Sequence, residues 1–370
     1  MPIASPTPPA EKKMLPSFSI VMPCYNVEQF VEEALLSVFA QKYDGRIQYI
    51  IVDDGSTDNT WEVIQNTVQK AGQGLDVCLI QHEKNKGVSA ATDTCYRHAT
   101  GDWIIKADSD DVQLETRCAE YARLITKYPQ VGCIILSCQR MEEDKTPREL
   151  VPYCSCLYDD APDEIYLHTP EQRFSNIMRQ GPTASIYALG GTTAMKRTLY
   201  ERWGDLMADA QSDIRFSDDT VWGGRYILTA PIVGSRALAC MYRTRSSGNL
   251  EYRSRGLKYS DFVHEELNSS RNMKARAEGY ALCCRAAQRA IEQPELTDWT
   301  PEQIKAYHNQ NYGEQIYFAA RAEWWSWNWF KRLQWYRAHA QQLLPPHRAW
   351  CKLRLLPLSI VCLLKSMRKS

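Results

Sequence analysis

The chain has 370 residues, with 44 Lys and Arg balancing 44 Asp and Glu, and 13 cysteines. That length calls for one large α/β domain with a smaller appendage, and the zero net charge leaves no global field to gather nucleic acid, which is not expected as a partner. The odd cysteine count, without any Cys-x-x-Cys pair, argues against a disulfide framework or a thiolate zinc site and for buried thiols in a reducing, cytoplasmic setting.

Residues 1–16, rich in Pro, Ser, Ala and Thr, read as a flexible leader without a signal peptide. The near-continuous apolar runs 18–22 and 48–52 predict central parallel strands buried on both faces. Between them Val27, Phe30, Val31, Ala34, Leu35, Val38 and Phe39 recur at helical spacing. Glu28, Glu32 and Glu33 fall early in that helix, where its dipole favours anions. Further strands are predicted at 77–80, 103–105 and 133–136, and helices over 88–99 and 114–128. Strands alternating with helices give a sheet covered on both faces, with ligands expected beyond the carboxyl ends of the strands. After about residue 246 the pattern changes to long polar helices, and no run approaches the ~20 apolar residues that span a bilayer.

Three acidic segments carry the chemistry. Asp53-Asp54-Gly55-Ser56-Thr57-Asp58-Asn59-Thr60 closes the second strand, either as a turn with helix caps or as carboxylates that accept hydrogen bonds from a base or ribose. Asp108-Ser109-Asp110-Asp111 follows a strand. Its carboxylates, one residue apart, can face a hard divalent cation, Mn2+ or Mg2+, that also takes diphosphate oxygens; a solvated acidic turn is the alternative. Asp218 and Asp219 read as the cap and first turn of a helix, a role compatible with chemistry.

These segments occur in order with Pro23-Cys24-Tyr25-Asn26 after the first strand, Asn85-Lys86-Gly87 before a helix, and Gly101-Asp102 leading into the second acidic turn. In that arrangement the chain resembles the family 2 glycosyltransferases from about residue 18 to 245. The resemblance implies a GT-A fold, a Rossmann-like, mostly parallel α/β sheet with helices on both faces, followed by a C-terminal helical, membrane-associating region. It implies that Pro23, Tyr25, Asn26, Asp53, Asp54, Lys86, Gly87, Asp108 and Ser109 bind the nucleotide and that Asp110 and Asp111 hold the metal. The segment 218–225 matches an acidic pair followed by an aromatic and a basic residue, which makes Asp219 the catalytic base. Gly191, Thr192, Asp218 and Trp222 then fall on the acceptor side. One departure stands out: Thr92 and Asp93 occupy positions where the family commonly has Arg and Asn. Lys86, Arg97, Arg243 and Arg245 are the candidate replacements.

The implied reaction is transfer of a sugar, with inversion, from a nucleotide-sugar donor, a UDP-sugar, to a hydroxyl of a glycan or lipid-linked acceptor in cell-surface polysaccharide or glycolipid synthesis. The expected organisation is a leader (1–16), a catalytic domain (17–245, donor side 17–137 and acceptor side 138–245), a helical region (246–343) and a basic amphipathic tail (344–370). Two rivals are a sugar nucleotidyltransferase and a catalytically silent binding protein of the same fold. The first needs a Gly-rich basic loop after the first strand, and 23–27 contains neither Gly nor a basic residue. Donor hydrolysis with Mn2+ separates the second.

From Trp324 to Ser370 there is no acidic residue, while basic residues such as Lys331, Arg337 and Arg348 interleave with Trp324, Trp327, Trp335 and Trp350. This composition suits an anionic membrane surface and a peripheral location at the inner face of the cell membrane. The competing reading packs the tryptophans onto the protein.

Overall fold

The computed structural model describes residues 14–141, 147–151, 162–180, 190–206, 218–243 and 270–355. Arg245 and residues 356–370 of the tail fall outside them, and Asp218, Asp219, Trp222, Trp325, Trp329 and Trp350 are described as backbone only.

The first half is β1 (Phe18–Cys24), α1 (Val31–Phe39), β2 (Ile47–Asp53), α2 (Thr60–Ala71), β3 (Asp76–Gln81), α3 (Val88–Arg97) and β4 (Trp103–Lys106). The strands pair in parallel in the order β3-β2-β1-β4. Every residue of β1 is buried except Pro23, as a strand covered on both faces requires. The second half brings β5 (Val112–Gln113), α4 (Arg117–Lys127), β6 (Cys133–Met141), β7 (Pro147–Val151), β8 (Glu164–Leu167), α5 (Pro170–Gln180), β9 (Thr193–Lys196), α6 (Arg197–Trp203), α7 (Asp218–Thr229) and β10 (Ile232–Arg243). Here β9 joins β4 and β6 antiparallel, and β10 returns parallel to β6. The parallel half therefore gathers the carboxyl ends of β1, β2 and β4 on one edge, and the mixed half continues the same sheet beyond β4.

Alternating side chains feed two cores. Phe18, Ile20 and Met22 of β1 pack on the α1 and α4 side with Leu35, Tyr121 and Leu124. Val21, Ile50 and Ile104 face α3, α6 and α7 with Ala91, Leu199 and Ile227. This second core runs on past residue 245, because Leu282, Ala286, Trp299 and Tyr307 join it from α8 (Ser270–Glu292), α9 (Pro301–Glu323) and the turn between them. The helix after β1 begins later than its periodicity predicts. Asn26 takes a left-handed φ of 51°, and the N–H of Val27 donates to Thr60 Oγ1 at 2.7 Å, so the chain is pinned across the β2 turn before it coils at Val31. Glu28 therefore sits outside the helix and accepts from the Asn59 N–H.

The aromatic stretch divides between the two readings of it. Trp324 is fully buried with Met273, Tyr280, Phe318 and Leu343, and Trp327 and Trp335 pack partly buried against it, so these three are core. Phe330, at the start of α10 (Trp329–His339), is 61% exposed, and Lys331 and Arg337 are exposed too. The last described helix is α11 (Pro345–Leu355), and among the described residues no helix is long and apolar enough to cross a membrane.

Candidate active site

A cavity of about 320 Å3 opens at the carboxyl edge of the parallel strands, lined by Pro23, Tyr25, Asp54, Gly87, Asp108 and Asp110 among others. Its walls come from the segments that follow β1, β2, β3 and β4, and glycines fix the backbone of two of them. Gly55 has a φ of 66°, and a Cβ there would meet the Lys84 backbone at 2.6 Å, so the β2 turn lies flush on residues 84–85. Gly87, at φ 95°, starts α3 directly under the cavity.

Asp54 ties these turns together. It is 2% exposed; its Oδ1 accepts from the Lys86 N–H (2.9 Å) and stands 2.8 Å from His82 Nδ1, and its Oδ2 accepts from the Gly87 N–H (2.8 Å). Gly87 thus enters the site as a backbone donor and cavity wall. The Lys86 side chain points to solvent, and only its amide serves Asp54. Asp53, the neighbour grouped with Asp54 in the sequence reading, is fully buried off the cavity and accepts from Ser56 Oγ and Gln81 Nε2. Asn26 also lies off the cavity wall: its Oδ1 accepts from the Thr57 N–H (2.9 Å) and holds the turn. Successive strand residues point to opposite faces, which is why only one of the two adjacent aspartates reaches the ligand space.

The second acidic turn is brought together differently from the sequence reading. Asp108, Ser109 and Asp110 line the cavity. Asp111 does not: it is 1% exposed and its Oδ1 accepts from the Arg243 N–H at 2.8 Å. Burial, with Cys240, Asp108 and Asp110 nearby, pushes its carboxyl well above the usual carboxylate range. Arg243 clamps this turn, donating Nε to the Asp110 carbonyl and Nη2 to Glu33 of α1. Gly191 closes the far side, where a Cβ would stand 2.6 Å from Asp108 Oδ2. Thr192 is buried and its carbonyl accepts from Tyr121 Oη at 2.7 Å. Asp218, Asp219 and Trp222 fall in the first turns of α7.

The acidic turn fits a divalent cation in donor chemistry: hard oxygens, crowded carboxylates that repel one another, and a glycine where a side chain would fill the space. Among the described residues no three acidic, His or Cys side chains converge as a ready-made cage, so phosphate oxygens or water would complete the coordination. The buried Cys24 thiol is raised by burial and by Asp53, which removes it as a nucleophile.

Of the candidate replacements for the missing arginine, Lys86 is exposed, Arg97 pairs with Asp205 (2.9 Å) on the surface, and Arg243 is committed to the clamp. Thr92 and Asp93 are buried, and Asp93 accepts from the Leu206 N–H, fastening α3 to the loop after α6. Three residues missed in the sequence belong to the site's framework: His82, Lys106 and Arg117. His82 directly follows β3, and Lys106 is the charged end of an otherwise apolar strand, so both positions carried a signal. Arg117, fully buried, donates to the Lys106 carbonyl, and nothing local in the sequence marks it.

With this geometry in place, comparison with known proteins places the chain. The glycosyltransferase EpsJ of Bacillus subtilis, itself uncharacterized, is 30% identical over 211 residues, which cover 56% of this chain and 55% of EpsJ. The match covers 40%, 37% and 55% of the length of three curated relatives, EpsJ being the third. Two solved structures share the fold. The TarS fragment 1–349 of S. aureus, in complex with UDP-GlcNAc, is 16% identical with a TM-score of 0.55 over 92% of this chain and 82% of its own. The mannosyltransferase PcManGT of Pyrobaculum calidifontis, with GDP-Man and Mn2+, is 18% identical with a TM-score of 0.51 over 92% of this chain and 84% of its own. The family profile described as Glycosyl transferase family 2 matches residues 19–204, half of the 370, and the chain belongs to that family.

Proposed function

We propose that the chain transfers a sugar from a UDP-sugar to a hydroxyl of a glycan or lipid-linked acceptor, with inversion, in the synthesis of cell-surface polysaccharide or glycolipid. The observation that carries this reading is one cavity lined by both Asp54 and the 108–110 turn. Asp54 holds the loop at the base end of the donor, and Asp108 and Asp110 face its diphosphate. Asp110 would be the principal protein ligand of a bound Mn2+ or Mg2+, which would supply neutralisation of the charge on the leaving diphosphate. Arg243 and Gly191 keep the turn in place, so little reorganisation accompanies the reaction. Asp219, in the first turn of α7, accepts the acceptor's proton as its oxygen attacks. A single displacement inverts the anomeric centre, and no nucleophilic carboxylate is needed. TarS in complex with UDP-GlcNAc supports a nucleotide-sugar donor.

The test is calorimetry on Asp54→Ala. Binding of UDP falls at least tenfold more than binding of inorganic pyrophosphate. Stability also falls, by about 1–3 kcal/mol, as the Lys86 N–H and the buried His82 Nδ1 lose Asp54, while the Gly87 N–H keeps Asn85 Oδ1. Equal losses for the two ligands would assign Asp54 to the phosphates.

We also propose that the acid-free tail meets an anionic membrane surface at the cytoplasmic face. Exposed Phe330, Lys331 and Arg337 on α10 support this, although Trp324, Trp327 and Trp335 are used in packing. Removal of residues 356–370, which lie beyond α11, releases the protein from phosphatidylserine vesicles while its melting temperature stays unchanged. Undiminished vesicle binding by the shortened chain would refute the tail as the contact.

A further inference from the structure

Lys106 ends β4 and, among the described residues, is the one buried lysine. Trp103, Ile104 and Ile105 before it are core, so the packing of the strand calls for no charge at its end. Its ammonium lies 3.3 Å from Asp108 Oδ1, with 8% of the Lys106 side chain and 29% of the Asp108 side chain exposed. The other oxygen, Oδ2, is turned to Gly191. Asp108 is thus held between a cation and a stretch of backbone, while Asp110, two residues on, faces the same cavity. Stripping a lysine of water without an opposing charge is costly, so Lys106 and Asp108 form a unit.

We propose that Lys106 is a positioning residue of the donor site: a resident cation that offsets Asp108, so that the cavity floor repels a diphosphate less and leaves the divalent ion to Asp110. The inference rests on the nucleotide-sugar reading above. It separates two kinds of binding. A diphosphate without metal meets less repulsion because of Lys106, and a divalent cation without diphosphate meets less attraction. Removing the ammonium moves these affinities in opposite directions, whereas loss of packing moves them together or not at all.

Calorimetry with UDP in EDTA, and separately with Mn2+ alone, tests this. Lys106→Met weakens metal-free UDP binding about tenfold and tightens Mn2+ several-fold, the scale expected for one charge a few ångströms away inside a protein. Lys106→Arg holds both within about twofold, since the charge is kept. Should Lys106→Met alone fail to fold, Asp108→Asn compared with the Lys106→Met/Asp108→Asn double variant reads the same ammonium without leaving the Asp108 carboxylate unopposed, and the melting temperature of each shows that both are folded. The double variant then binds UDP in EDTA about tenfold more weakly than Asp108→Asn. Affinities for UDP and Mn2+ that stay level, or fall together, overturn the role. A wild-type protein that binds no UDP even with Mn2+ overturns the donor reading instead, and the Mn2+ titration alone then decides Lys106.

Discussion

Asp110→Asn removes the Mn2+ dependence of UDP binding and lowers turnover by about 10³-fold, with the fold intact. The size follows from what a bound cation supplies, several kcal/mol of stabilisation for charge developing on the leaving diphosphate, where each 1.4 kcal/mol is about tenfold in rate. The fold survives because the turn is held by main chain at this residue: Arg243 Nε donates to the Asp110 carbonyl, which the substitution leaves in place. Asp110 is partly exposed on the cavity wall, so an amide there takes its place without burying an unpaired group. UDP affinity measured across a Mn2+ series, with melting temperature alongside, checks both halves. A variant whose UDP affinity still climbs with Mn2+ as in the wild type would take Asp110 out of the metal site.

Asp111 offers the contrast. Its carboxylate is buried and bonded to the Arg243 N–H, and the groups around it favour its protonated form. It supports the turn from behind. The sequence reading grouped it with Asp110 because adjacent carboxylates look equivalent in a string of letters, but the chain turns here, with the Asp111 N–H on the Asp108 carbonyl at 3.3 Å, and Asp110 and Asp111 fall on different sides of the turn. Asp53 and Asp54 are separated at the end of β2 by strand alternation, one bonded to Ser56 and Gln81 in the interior and the other lining the cavity.

What could be read from the sequence was what depends on local periodicity. The apolar runs at 18–22 and 48–52 lie inside β1 and β2, and the helical spacing over 88–99 matches α3 to within two residues. The cavity was legible as strand ends carrying Asp and Gly, because a parallel sheet delivers successive carboxyl termini to one edge. Pairing across distance was not legible. No spacing rule brings Arg243 to Glu33 and Asp111, or Tyr121 Oη to the Thr192 carbonyl, since these contacts depend on β10 and α4 arriving beside the acidic turn. The extent of the core was hidden likewise: α8 and α9 look polar in sequence, yet their Leu282, Ala286 and Tyr307 complete the apolar face of the sheet.

Asp219→Asn lowers transfer by about 10²–10⁴-fold with UDP affinity little changed, the loss expected when a general base is replaced by a group of the same shape that takes no proton. The prediction draws on the family resemblance and on where the chain puts the residue. The helix α7 begins at Asp218, so Asp219 stands in its first turn. That helix is firmly seated, because the fully buried Arg225 donates to the Gly204 and Asp205 carbonyls, and Tyr226, Ile227 and Leu228 enter the core. The backbone thus carries Asp219 on a helix whose later turns are anchored in the core. The same position suits a structural carboxylate, and this variant tells the two apart. Asparagine caps a helix about as well as aspartate, so a purely structural role predicts near-normal turnover and an unchanged melting temperature. A base role predicts an unchanged melting temperature with turnover reduced a hundredfold or more, rising again with acceptors whose hydroxyl is more acidic and needs less help to lose its proton. Near-normal transfer by Asp219→Asn would pass the role to Asp218, whose own asparagine variant is then the deciding measurement.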